Sequence, residues 1–236
     1  MLPLKDINPS KRKPLITYSL ITINGLVFLY ELLLGKNLYN FFLRFGFIPF
    51  NFTLFLKGVT DYPYFLNIIT SMFIHGGWAH IIGNMWFLLI FGDNVEDTLG
   101  KINYIILYLT SGVFAVLAQY IIMPISKIPL IGASGAISGI LGAYLVLFPN
   151  AQILSLIPDP FTFGLFFRIV PINAFFFLLI WFLLQFTQGI ATLPYSGRIG
   201  GTAFWAHIGG FAWGIVYTIL FLLYSRLTGI KRYRRS

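Results

Sequence analysis

Cysteine is absent from the 236 residues, so the chain forms no disulfide and offers no thiolate to a metal. Charge is scarce. Asp, Glu, Lys and Arg make up 10% of the chain against 58% hydrophobic residues, and mean hydropathy is +0.83. Soluble domains carry about a quarter charged residues, so this composition calls for a bilayer as solvent and excludes an ordinary soluble domain. Histidine occurs only three times, as His75, His80 and His207. His75 and His80 are five apart with no glutamate between them, which excludes the H-E-x-x-H pattern of a zinc protease helix. Asp93 and Asp159 fall in or beside loops, so the pair of intramembrane aspartates that an aspartyl protease needs is missing too. No transporter-like pairing of broken helices or intramembrane charges stands out.

What the chain does have is long apolar runs. A helix needs about 20 mostly apolar residues to cross a hydrocarbon core. Six candidate spans follow, at about 14–35, 79–95, 103–123, 134–148, 171–187 and 203–225. The first follows a polar, basic leader without a small-residue cleavage site, so it is read as a span and not as a signal peptide. The segment 36–74 is aromatic-rich and broken by Pro49 and Pro63. It carries Lys36, Arg44, Lys57 and Asp61, and suits the membrane interface better than a span.

The net charge of +9 is concentrated in two terminal clusters, Lys5/Lys11/Arg12/Lys13 and Arg226/Lys231/Arg232/Arg234/Arg235. These read as topology signals at a membrane and not as a nucleic-acid surface. Six spans put both termini on one side. That side holds 11 of the 16 Lys and Arg residues, so both termini are expected in the cytoplasm. The expected organisation is a tail at 1–13, a membrane domain at 14–225 and a basic tail at 226–236.

The polar residues inside the spans then fall into place. His80 enters the second span, Ser134 opens the fourth within "IGASGAISG", and His207 lies early in the sixth within "AHIGGFAWG". With the termini inside, all three lie at similar depth towards the outer face. Gly135, Gly139 and Gly142 form a small-residue stripe, and Ala206, Gly210 and Gly214 form another. Such stripes let helix backbones approach closely. If they face each other, Ser134 and His207 meet, and a histidine within reach of a serine can act as its general base. No carboxylate lies nearby in the even spans, so the expectation is a Ser-His dyad. His80 and Asn84 are i,i+4 and share a helix face. Together with the backbone N–H of Ser134 they are candidate donors to an oxyanion. Taken singly, Ser134 reads as a packing residue, and His207 and Asn84 as interhelical struts. The combination favours chemistry.

"HGGWAHIIGNMWFLLIFGDNVED", "GASGAISG" and "AHIGGFAWG" resemble, in order and spacing, the three signature blocks of the rhomboid family of intramembrane serine proteases. The resemblance implies an all-α, six-transmembrane-helix bundle with cytoplasmic termini. It implies a serine endopeptidase that cleaves single-span membrane proteins near the outer face of the lipid bilayer, without metal or cofactor. Ser134 would be the nucleophile and His207 the base, with His80 and Asn84 stabilising the oxyanion. His75, Glu96 and Gly100 match structural positions. The compact core, with no seventh span, points to a bacterial cell membrane; nothing in the sequence fixes the oligomeric state. Two positions depart from the pattern. Ser138 stands where some members have a tyrosine that stacks on the base, so ring stacking on His207 comes from another residue or is absent. "DYPYFLNIIT" lacks the Trp-Arg pair that some members carry in the first loop. Substrate entry is expected past the fifth span and the loop 197–204. The competing reading is a silent rhomboid-like protein that binds transmembrane segments. Such a protein would typically lose the serine or the base, and this chain keeps both.

Overall fold

The computed structural model describes residues 1–159, 162, 165–195 and 201–229. Nine α-helices among them are α1 (Leu15–Leu33), α2 (Leu38–Phe45), α3 (Pro49–Leu56), α4 (Leu66–Thr70), α5 (Trp78–Leu99), α6 (Lys101–Ile122), α7 (Ser134–Leu147), α8 (Ala174–Thr192) and α9 (Phe204–Leu227). A helix forms in each of the six apolar runs. α1, α6, α8 and α9 are long and apolar enough to cross a membrane. α5 passes the same test together with the short helical stretch Leu66–Phe73, from which it is bent by 93°. α7, at 14 residues, is about 21 Å long. The interrupted segment 36–74 folds into α2, α3 and α4, with Pro49 at the first turn of α3, where its missing N–H costs no hydrogen bond.

The all-α expectation is corrected in one respect. β1 (Leu2–Asp6), β2 (Gln152–Pro158) and β3 (Phe167–Asn173) form a three-stranded antiparallel sheet in the order β1-β2-β3. Its physical basis is visible in β2, where Ile153 and Ser155 alternate into the interior with more exposed neighbours. Residues 171–173, expected to begin the fifth span, instead end β3. Asn173 caps α8 by accepting the Phe175 N–H at 2.9 Å, and the helix runs on to Thr192.

Residues 2–6, within the segment read as a tail, are tied to the bundle. The Trp86 indole donates to the Pro3 carbonyl at 2.7 Å. Asp6 accepts hydrogen bonds from Asn94 at 2.6 Å and from the Tyr144 hydroxyl at 2.9 Å. Burial pushes the Asp6 carboxyl up to about 6, against the lowering effect of the Tyr144 hydrogen bond.

α7 is the central helix, with residues 135–144 all buried. Its glycine stripe faces that of α9. A methyl group built on Gly210 would run into the Gly135 carbonyl, and one on Gly214 into that of Gly139. Only glycine permits this approach, and in lipid close backbone packing is a main source of helix association. At the far end of the bundle from Ser134, the Glu96 carboxylate accepts from Ile16 N (3.0 Å), Thr17 N (2.8 Å) and Thr17 Oγ1 (2.9 Å). It caps the start of α1, where free N–H groups and the helix dipole favour an anion. Gly100, with φ of 79°, makes the sharp turn from α5 into α6.

Candidate active site

The loop before α7 is held from two sides. Phe47 and Leu130 exchange backbone hydrogen bonds of 3.0 and 2.7 Å, and the Gly132 N–H donates to the Ser71 carbonyl at 2.8 Å. Gly132 has a φ of 122°, a conformation that L side chains rarely adopt. A Cβ there would also lie 2.6 Å from His80 Nε2. This turn delivers Ser134 as the first residue of α7, without a side-chain cap on the helix.

Because the glycine stripes pack together, α7 and α9 bring their first turns into contact. His207 Nε2 lies 2.8 Å from Ser134 Oγ. The other ring nitrogen, Nδ1, lies 2.7 Å from the side-chain oxygen of Gln185 on α8. The indole of Trp181, four residues earlier on α8, stacks on the His207 ring with centroids 6.1 Å apart and planes inclined by 30°. The ring stacking left open at Ser138 is therefore supplied from α8. The Ser138 hydroxyl instead donates to the Ser134 carbonyl at 2.7 Å, inside its own helix.

His80 and Asn84 face the same space from α5. The Gly76 N–H donates to His80 Nδ1 at 3.3 Å, which places the proton of the neutral ring on Nε2. The Asn84 amide nitrogen is buried and has no hydrogen-bond partner. Ser134, His207, His80, Asn84 and Trp181 line one cavity of about 800 Å³. His75 sits outside it and is buried. Its backbone N–H donates to the Glu31 carboxylate at 3.1 Å, and its ring stands edge-on to His80 with centroids 5.1 Å apart. Of the loop 197–204, residues 197–200 lie outside the described residues, and Gly201, Thr202 and Ala203 border the cavity. Between α5 and α8 the cavity is walled by Phe87 and Trp181. Further from Ser134 the two helices meet, with the Phe91 and Phe177 rings 6.1 Å apart.

The family profile described as the Rhomboid domain matches residues 63–224, most of the chain and all of this site. The chain belongs to the rhomboid family. This rhomboid is an integral membrane protein that is 35% identical to the putative rhomboid protease YdcA of Bacillus subtilis, over 37% of this chain and 44% of that one. It is 31% identical to the rhomboid protease GluP of the same organism, over 61% of this chain and 24% of GluP. It is also 31% identical to inactive rhomboid protein 1 of Papio anubis, over 72% of this chain and 17% of that protein. The matches cover less than half the length of the first relatives. Relatives named as proteases and as inactive proteins both occur, so the rhomboid's activity has to be argued from its own residues.

Two of those residues escaped the sequence reading. Gln185 and Trp181 lie in the apolar run of α8, and no motif ties them to His207. The available signal was an amide inside a span, four residues after a tryptophan, since polar groups at membrane depth usually face the bundle interior. Glu31, in "LYELLLG", carried the same signal.

Proposed function

We propose that this rhomboid is a serine-type intramembrane endopeptidase that cleaves transmembrane segments of other membrane proteins. The observation that carries the reading is the 2.8 Å approach of His207 Nε2 to Ser134 Oγ, at a helix start and open to a cavity. His207 takes the Ser134 proton as Oγ attacks the scissile carbonyl. Charge then develops on the carbonyl oxygen. Three donors surround the place where it forms: the Ser134 backbone N–H at the start of α7, the Asn84 amide and the His80 Nε2–H. The Asn84 Nδ2 has no hydrogen-bond partner, so an oxyanion would satisfy a buried donor that the resting protein leaves idle. His207 returns its proton to the leaving amine, and the acyl group stays on Ser134. Water from the cavity, deprotonated by His207, then attacks the ester and frees the enzyme.

The substrate segment enters past α8, through the slot between α5 and α8 or over the loop that borders it. Its helix unwinds locally so that a peptide carbonyl reaches Ser134. In this reading both termini face the cytoplasm and the site lies towards the outer face, which the distribution of Lys and Arg supports, and the membrane is the cell membrane of a bacterium. The alternative, a silent protein that only binds transmembrane segments, is not favoured by a serine and base already within hydrogen-bond distance.

The test is cleavage in proteoliposomes of a single-span protein with a small residue and a helix breaker near the outer end of its span. Wild type and Ser134→Ala run side by side, and the products are read by mass spectrometry. Cleavage within the span by wild type alone supports the proposal. Equal cleavage by Ser134→Ala overturns the nucleophile, and no cleavage of a panel of such substrates by folded wild type overturns the enzyme.

A further inference from the structure

We infer that Gln185 is the positioning residue that makes His207 a base, holding the imidazole in the one neutral form whose lone pair faces Ser134. The inference rests on the protease reading for its consequence, but not for its geometry. A neutral imidazole carries its proton on Nδ1 or on Nε2, and only the first form leaves Nε2 free to accept from the Ser134 hydroxyl. An amide oxygen has lone pairs and no proton. At 2.7 Å from Nδ1 it accepts a hydrogen bond and selects the Nδ1–H form. The opposite tautomer would set two lone-pair groups against each other on the α8 side. It would also offer Ser134 a donor instead of an acceptor.

The surroundings explain why an amide stands here. Gln185 is half-buried on a helix face otherwise made of aromatic contacts with α9: Trp181 and Phe182 against Phe211, with ring centroids 5.7 and 5.2 Å apart, and Phe186 against Trp205 at 6.2 Å. An amide in such a face costs free energy unless it is hydrogen-bonded. Trp181 and Gln185 are one turn apart, so the same face of α8 stacks on the His207 ring and binds its nitrogen. This fixes both the plane of the ring and the position of its proton. Where Ser-His-Asp triads use a carboxylate for the third position, this site uses a neutral amide, which avoids burying an unpaired charge in a span. The orientation of the base therefore depends on α8 being docked against α9.

The test uses the whole protein with ¹⁵N-labelled histidine. There are only three histidines, so the His207 signals are identified by their loss in His207→Ala. Wild type should show His207 protonated on Nδ1. Gln185→Met, of similar length but without the acceptor, should shift the population towards the Nε2–H form. It should also lower kcat about 10- to 100-fold with KM unchanged, the scale on which loss of a histidine-orienting partner acts elsewhere. Gln185→Glu keeps an acceptor oxygen and should restore the Nδ1–H form and most of kcat. The inference is overturned if Gln185→Met keeps the wild-type tautomer, or if Gln185→Glu behaves like Gln185→Met. Should wild type cleave nothing, the tautomer shift alone still decides the positioning role, so this inference and the protease reading fail separately.

Discussion

Gly214→Ala should perturb the candidate active site from a distance that excludes direct contact. Gly214 lies seven residues from His207 along α9, about 10 Å. A Cβ built on it would sit 2.6 Å from the carbonyl carbon of Gly139 and 2.7 Å from its Cα. Comfortable separation between such carbons is about 3.5–4.0 Å. The shortfall is about 1 Å, and both neighbours are backbone, which cannot rotate aside. α9 must therefore move from α7 by about that amount. The overpacking costs about 1–3 kcal/mol of stability. If the helices part as rigid bodies, the 2.8 Å contact between His207 and Ser134 opens to about 3.8 Å, beyond hydrogen-bond range. Misplacement by about 1 Å costs on the order of a hundredfold in rate. The assay compares turnover per folded molecule, the rate of Ser134 labelling by a fluorophosphonate, and detergent unfolding, for wild type, Gly214→Ala and Gly25→Ala. A Cβ at Gly25, inside α1, meets nothing within 4 Å, so that variant should keep full activity and gain up to about 1 kcal/mol. Wild-type turnover and labelling in Gly214→Ala would refute the idea that helix spacing sets the distance between serine and base.

Asn84→Ala should lower kcat about a hundredfold or more with KM little changed, read from steady-state kinetics on a quenched peptide; a change in KM alone would remove Asn84 from the oxyanion. Glu96→Ala removes an acceptor of three hydrogen bonds at the start of α1 and should cost about 2–4 kcal/mol in detergent denaturation. Turnover per folded molecule should stay near wild type, because the cap lies at the other end of the bundle. Asp6 binds its proton more tightly when folded, so its contribution to stability grows as pH falls from about 6 towards 4 and is lost as pH rises through about 6. Asp6→Asn keeps an acceptor for Asn94 and Tyr144 without the charge. At pH 7 its unfolding temperature should equal or exceed that of wild type, and the gap should close by pH 5.

The pairing of Ser134 with His207 was legible because small residues four apart announce where two helix backbones touch, and each polar residue sat at the same end of its stripe. The glycine stripes of α7 and α9 therefore foretell the 2.8 Å contact between His207 and Ser134. His80 and Asn84 were legible for a related reason, since i,i+4 spacing fixes a shared face. Gln185 was not, because its link to His207 runs between α8 and α9, whose apolar faces carry no spacing signal across the loop that joins them. The absence of a tyrosine at Ser138 left ring stacking open, and nothing in the local pattern pointed to Trp181. The sheet escaped for another reason. β2 and β3 are short alternating segments between spans, and β1 pairs with a strand far along the chain. Hydropathy marks none of them, because each strand is far shorter than a run that crosses a bilayer.

The brevity of α7 sets a relation between this rhomboid and the lipid around it. A hydrocarbon layer is about 30 Å thick, and α7 spans about 21 Å. Centred in such a layer, α7 would leave Ser134 several ångströms below the level at which bulk water begins. Peptide hydrolysis consumes water, so the proposed reaction would draw on the cavity as its reservoir. Acyl-chain length thereby becomes a kinetic variable. A thicker membrane lengthens the path from that reservoir to the surface, and a thinner one brings the nucleophile closer to the open solvent.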